Sequence, residues 1–172
     1  MNTETLIDFL LHVLFSSFTF YSIYRKWGQY ASALLGAIIG GILIDSDHLI
    51  DYFFAYGTHF NFTTFINGHE FLVSNKIHIV FHAWEYVIGI ILIVLFLDKK
   101  RVGIRVFLLA LATSMLFHLM IDTVLHKNHI KMYSVVYRAS VNFDLDRLST
   151  PEQIVRQNEL RKQFKLEKHG KY

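Results

Sequence analysis

Residues 102–121, VGIRVFLLALATSMLFHLMI, are apolar almost throughout, and so are residues 6–24 and 79–97. A helix needs about 20 predominantly apolar residues to cross a hydrocarbon core of about 30 Å, so each run is of spanning length. A fourth run, residues 31–44, is short. It reaches that length only if the helix continues through an acidic stretch to Tyr56. The pattern predicts an all-α integral membrane protein. Four helices are expected, at residues 5–24, 30–56, 77–97 and 102–125, packed as a transmembrane bundle. The alternative is a soluble helical bundle, but amphipathic surface helices carry a polar face and the long runs here have little of one.

Charge and turn residues organise the rest. Arg25 and Lys26 follow the first run, and Lys99, Lys100, Arg101 and Arg105 separate the third from the fourth. In a four-span chain these two short loops share a side, which the positive-inside rule makes cytoplasmic. The tail after Ile121 is also basic and would lie opposite. Gly36, Gly40 and Gly41 in the second run suit close helix packing. Residues 57–76 read as a connecting loop rich in turn formers, with aromatics in FNFTTF. Two domains are expected: a membrane domain at residues 1–130 with a site at one face, and a C-terminal tail at residues 131–172. The tail opens on a mixed segment without a clear period and then carries a short amphipathic or soluble surface helix. Its start is marked by Ser149 or Thr150, Pro151, and Glu152 or Gln153 at capping-box spacing. Acids interrupt the tail's basic residues, which argues against a nucleic-acid partner. The first residues lack the basic segment and cleavage pattern of a secretory signal, so the first helix is expected to stay in the mature chain. The chain has no cysteine, which excludes disulfides and thiolate metal ligands.

Ionisable groups within spans are costly, and they point to function by default. Here all four predicted helices hold them. The first has Asp8 and His12, the second ends in Asp45, Asp47, His48 and Asp51, the third opens with His78, His82 and Glu85, and the fourth closes with His118, Asp122 and His126. At 3.6 residues per turn, steps of four and seven return to one face. His78, His82 and Glu85 would therefore form one stripe on the third helix, as would His118, Asp122 and His126 on the fourth. Alternating helix direction puts all four clusters at the same end of the bundle. Carboxylate and imidazole donors without thiolate suit zinc first, or manganese, iron or magnesium. The expected metal-binding set is His12, Asp45, Asp47, His48, His78, His82, Glu85, His118 and Asp122, with one or two divalent ions. Asp51 is expected to support the ligands or to sit at the interface. A regular helix cannot aim Asp45 and Asp47 alike, so a bend or an end is expected there.

The segments LIDSDHLIDY, KIHIVFHAWEYV and LFHLMIDTV together resemble the predicted membrane-bound metal-dependent hydrolases, a family that includes damage-regulated inner-membrane hydrolases of bacteria. The resemblance covers residues 6–126. It aligns His12 with an early histidine of the family, Asp45, Asp47 and His48 with a D-x-D-H motif, and His118 and Asp122 with a final H-x-x-x-D. Ile44 stands where the family often has proline, and the middle motif lacks the arginine that often follows the first histidine. The resemblance implies a location in a bacterial inner membrane.

The leading expectation is a membrane-embedded metal-dependent hydrolase cleaving an ester or phosphoester of a membrane lipid or lipid-linked substrate. Glu85 is the expected general base, with Asp47 able to exchange roles with it. Two alternatives remain open at this point: a di-iron membrane oxidase or desaturase, and a metal-ion or proton carrier. The apolar far half of each span argues for a one-sided pocket over a carrier's full-length polar path.

Overall fold

The computed structural model describes residues 3–66, 68–125 and 130–169. His126 lies outside the described residues. These residues are helical and turn-like, with no strand among them beyond a single bridge between Lys76 and Asp144. The first helix, α1 (Thr3–Trp27), ends in Arg25 and Lys26, whose charge favours a helix C-terminus. α2 (Tyr30–Gly41) gives way to a 3₁₀ turn (Leu43–Asp47) and then to α3 (His48–Tyr56), the pair bending by 50°. The expected break in the second helix is therefore present, at the residues that carry its acids.

Among the described residues, two helices are long and apolar enough to cross a membrane: residues Leu6–Trp27 of α1, and α7 (Val102–Leu125). The bent α2–α3 pair makes a third if counted as one span. α2 packs on α7 through small residues, as membrane interfaces do. A methyl group on Gly36 would meet the Phe107 carbonyl, and one on Gly40 the Leu111 carbonyl. Gly41 leaves room for the hydroxyls of Ser16 and Ser114, and Ser114 donates to the Ala37 carbonyl at 2.9 Å.

The third expected helix is corrected. α6 spans only Trp84–Phe96, 13 residues or about 20 Å, and residues 76–83 before it are not helical. Side chains distant in sequence take the hydrogen bonds that a helix would have made. The Asp51 carboxylate accepts from the backbone N–H of His78 at 2.9 Å and of Ile79 at 2.8 Å, and Asp47 accepts from Phe81 N–H at 2.6 Å. Ile79 sits at φ 31°, a conformation that β-branched residues avoid and that only such surrounding bonds can hold. His78, His82 and Glu85 thus do not share a helical stripe.

The loop at residues 57–76 contains two short helices, α4 (Phe62–Ile66) and α5 (His69–Ser74). The tail begins with a 3₁₀ turn (Ile130–Tyr133), then α8 (Val135–Ser140), α9 (Leu145–Leu148) and α10 (Pro151–His169). Its last helix opens as the capping signal indicates: Thr150 N–H donates to the Gln153 side chain at 2.8 Å, and Gln153 N–H returns a bond to Thr150 Oγ1 at 3.3 Å. The segment before it is no loose appendage. Met132, Tyr133, Leu145 and Leu148 are buried in one core with Ile44, Ile79, Val87 and Leu119, so apolar packing runs across the 130/131 boundary.

Candidate metal centre

Three helical segments and one loop deliver side chains to one point. α7 supplies His118 and Asp122, one turn apart and both buried. α1 supplies His12, whose ring lies against that of His118 with centroids 3.8 Å apart. The 3₁₀ turn supplies Asp45 and Asp47, and the loop before α6 supplies His82. At three residues per turn, side chains two apart in a 3₁₀ segment point about 120° from each other. That places Asp45 and Asp47 on opposite edges of the same ring: His82 Nε2 is 3.1 Å from Asp45 Oδ1, and His82 Nδ1 is 3.0 Å from Asp47 Oδ2.

The described residues include three groups of histidine and aspartate that could hold a metal ion: His12, His118 and Asp122; Asp45, His82 and His118; and Asp47, His48 and His82. The first two share His118, and their atoms converge. His118 Nε2 lies 3.1 Å from His82 Nε2, 3.2 Å from Asp45 Oδ1 and 3.4 Å from Asp122 Oδ2, while His82 Nε2 is 3.8 Å from Asp122 Oδ2. Ligand bonds of about 2.0–2.1 Å in a tetrahedron put ligand atoms about 3.3 Å apart. The observed separations bracket that value.

Three further observations fit a cation. Two imidazole Nε2 atoms 3.1 Å apart need either one proton between them or a shared positive partner. His12 Nε2 is buried 3.2 Å from Asp122 Oδ1 without an aligned hydrogen bond to it. Among the described residues, no lysine or arginine forms an ion pair with Asp45, Asp47 or Asp122, although Asp47 and Asp122 are buried. Buried charge needs a partner.

Both central histidines are held from behind. His82 Nδ1 faces the Asp47 carboxylate, and His118 Nδ1 faces the Gly41 carbonyl at 3.0 Å. With Nδ1 donating, each ring turns an unprotonated Nε2 to the centre, the arrangement that metal-binding histidines show. Asp47, expected as a ligand and an alternative base, therefore stands behind His82 in this group.

Other expected residues lie elsewhere. His78 bonds to Asp51 through Nδ1 at 2.7 Å, rests against Phe143, and belongs to none of the three groups. Glu85 accepts from the Ser134 hydroxyl at 2.5 Å and from the backbone N–H of Val135 and Val136, so its carboxylate caps α8. His48 is at the margin, its Nε2 3.9 Å from Asp45 Oδ1. Asp51 is buried and holds the loop through the backbone N–H groups of His78 and Ile79. Asp45 is the open member of the centre, with about half of its side chain, 52%, exposed.

Arg138 was not anticipated. It is fully buried, and its guanidinium donates to the carbonyls of His82 at 2.8 Å, Met132 at 2.9 Å and Ile79 at 3.1 Å. The tail thereby ties down both ends of the loop that carries His82. The only signal in the sequence is a lone arginine in the apolar stretch SVVYRASV. Glu70 is also buried, with Oε2 lacking a hydrogen-bond partner among the described residues, and burial raises its pKa from 4.5 to about 7.

Comparison with known protein families, curated proteins and solved structures found no match to this chain.

Proposed function

We propose that this chain is a membrane-embedded metal-dependent hydrolase that cleaves an ester or phosphoester. The observation that carries this reading is the meeting of His82 Nε2, His118 Nε2 and Asp45 Oδ1 at 3.1–3.2 Å from one another, with Asp122 Oδ2 3.4 Å from His118 and 3.8 Å from His82, and each imidazole locked from behind. In this reading α6 and the loop before it complete a fourth crossing. The centre then lies at the end of the bundle opposite Arg25 and Lys100. His82, His118 and Asp122 would hold a divalent ion, zinc in the first instance, with His12 alongside and a fourth position left to water. The ion supplies Lewis acidity there, polarising the scissile group and making water acidic near neutral pH. Asp45 is the carboxylate placed to take the proton from water, because it alone of the group is half exposed. Asp47 and the Gly41 carbonyl fix the two ring orientations, and Arg138 fixes the loop.

The test is metal analysis by mass spectrometry of the full chain purified in detergent, alongside hydrolysis of p-nitrophenyl esters and phosphodiesters. The expected result is one divalent ion per chain, lost together with hydrolysis in His82→Ala and His118→Ala. Two ions per chain would assign Asp47, His48 and His82 to the second. Hydrolysis by metal-free protein overturns the reading. Iron with a di-iron absorption band would favour an oxidase, and metal flux into liposomes without hydrolysis a carrier.

A further inference from the structure

α6 carries a glycine in its interior that helix packing does not explain. Gly89 lies mid-helix, where glycine is less favourable than alanine by about 0.5–1 kcal/mol. Gly36, Gly40 and Gly41 each press on a neighbouring helix, but a β-carbon on Gly89 would meet nothing within 4 Å. It would project into a cavity of about 660 Å³ bounded by α2, the 3₁₀ turn, α6 and α7. That volume is in the range of ligand pockets, about 300–1,000 Å³. The lining is mostly apolar, with Ser46, Glu85 and the amphipathic Tyr86 its residues that carry polar side-chain groups, and Glu85 is already engaged by Ser134.

The cavity and the metal centre share a wall. Ser46 stands between Asp45 and Asp47, Phe81 precedes His82 and donates its N–H to Asp47, and Gly40 precedes the Gly41 carbonyl that holds His118. Ile39, Leu43, Phe81 and Ile93 line the cavity and are well exposed; Ile39 and Leu43 belong to the bent α2–α3 pair that counts as one apolar span, and Ile93 to the shorter apolar helix α6. A polar, water-borne substrate finds almost no hydrogen-bonding group inside.

We propose that this cavity is the substrate's hydrocarbon-chain site: one long lipid chain enters sideways from the membrane past Leu43 and Ile93 and lies along Gly89. Its ester or phosphoester end then reaches Ser46 and the Asp45 edge of the metal centre. The chain site stands on the cavity itself, and only the placing of the ester end rests on the hydrolase reading.

Photolabelling tests it. The full chain in detergent micelles is irradiated with a sixteen-carbon fatty acid bearing a diazirine near its terminus, and labelled residues are mapped by mass spectrometry. Saturable labelling at Ile90 and Ile93 is expected, falling at least about fivefold in Gly89→Leu. It should stay unchanged in Leu92→Phe, which alters an exposed residue outside the cavity. Should Gly89→Leu fail to fold, competition on the unaltered chain decides. Unlabelled fatty acids should gain at least about tenfold in potency from eight to sixteen carbons, since each buried methylene adds to binding. Unsaturable labelling spread over Leu95, Phe96 and other exposed positions, or no chain-length dependence, overturns the proposal. Saturable, Gly89-sensitive labelling without hydrolysis of any probe supports the chain site and removes the hydrolase reading. Equal hydrolysis of short- and long-chain p-nitrophenyl esters, with unsaturable labelling, does the reverse.

Discussion

Replacing Arg138 with leucine should destabilise the protein by about 2–5 kcal/mol, the cost of leaving the buried carbonyls it binds without a donor. The figure follows from its bonds. Arg138 donates to three carbonyls, at 2.8, 2.9 and 3.1 Å, and is fully buried. Hydrogen bonds from charged donors contribute about 1.5–3 kcal/mol each. The Ile79 carbonyl keeps a second donor, the His82 N–H at 3.0 Å, so its loss is small. The carbonyls of His82 and Met132 lose their guanidinium donor, at about 1–3 kcal/mol each for a buried polar group left unmade. Relief from burying the guanidinium, whose pKa burial already lowers, offsets part of this. Arg138→Lys should recover at most about half, because an ammonium is a point donor and lacks the fork that reaches separated carbonyls. Denaturant titration in mixed micelles reads the stability, and chelator competition reads the metal affinity. Affinity should fall at least about tenfold in Arg138→Leu as His82 loses its anchor. A leucine variant within about 1 kcal/mol of the unaltered chain, with unchanged metal affinity, would refute the claim that the tail positions the site.

Other outcomes follow from single contacts. Asp47→Asn should lower metal affinity about 10–100-fold with the fold retained, since it weakens the support behind His82 without removing a ligand; chelator competition measures it. Gly40→Ala should cost about 1–3 kcal/mol, because the Leu111 backbone cannot yield to the new methyl group. Gly89→Ala, facing open space, should gain about 0.5–1 kcal/mol in the same micelle titration. Glu70 holds its proton more tightly in the folded state, with a pKa of about 7 against 4.5, so stability should fall as pH rises between those values and stay lower above pH 7. Glu70→Gln should abolish that slope and be more stable than the unaltered chain above pH 7 by an amount on the order of 1–2 kcal/mol, allowing for partial screening.

What the sequence shows about this fold depends on whether the determining contacts are local. Run length alone places α7, and the capping pattern at Thr150, Pro151 and Gln153 places the start of α10, because helix ends answer to neighbouring residues. The bend at residues 42–47 was legible because two acids two positions apart cannot both face a bundle from a regular helix. Residues 77–83 misled for the opposite reason. His78, His82 and Glu85 have helical spacing and sit in an apolar run, yet Asp47, Asp51 and Arg138 take their backbone groups from 27 to 59 positions away. No local pattern records such bonds. The tail segment lacked a period for the same reason, as its helices α8 and α9 are only 6 and 4 residues long and its buried residues answer to the core it covers.

The same contrast explains how the acids can serve the site at all. Asp45, Asp47 and Asp51 follow one another through the bend and take three different tasks: Asp45 faces the centre, Asp47 holds a ring that faces it, and Asp51 holds the backbone that carries the ring. A continuous helix over residues 77–97 would satisfy its own backbone and leave Asp51 and Asp47 buried without those donors. Unwinding the loop supplies N–H groups to both carboxylates and leaves the His82 and Ile79 carbonyls for Arg138. The non-helical loop, the buried acids and the buried arginine are therefore one arrangement, in which removing any member exposes the others to the cost of unpaired burial. This coupling is why the Arg138 substitution, made in the tail, is expected to be read out at His82.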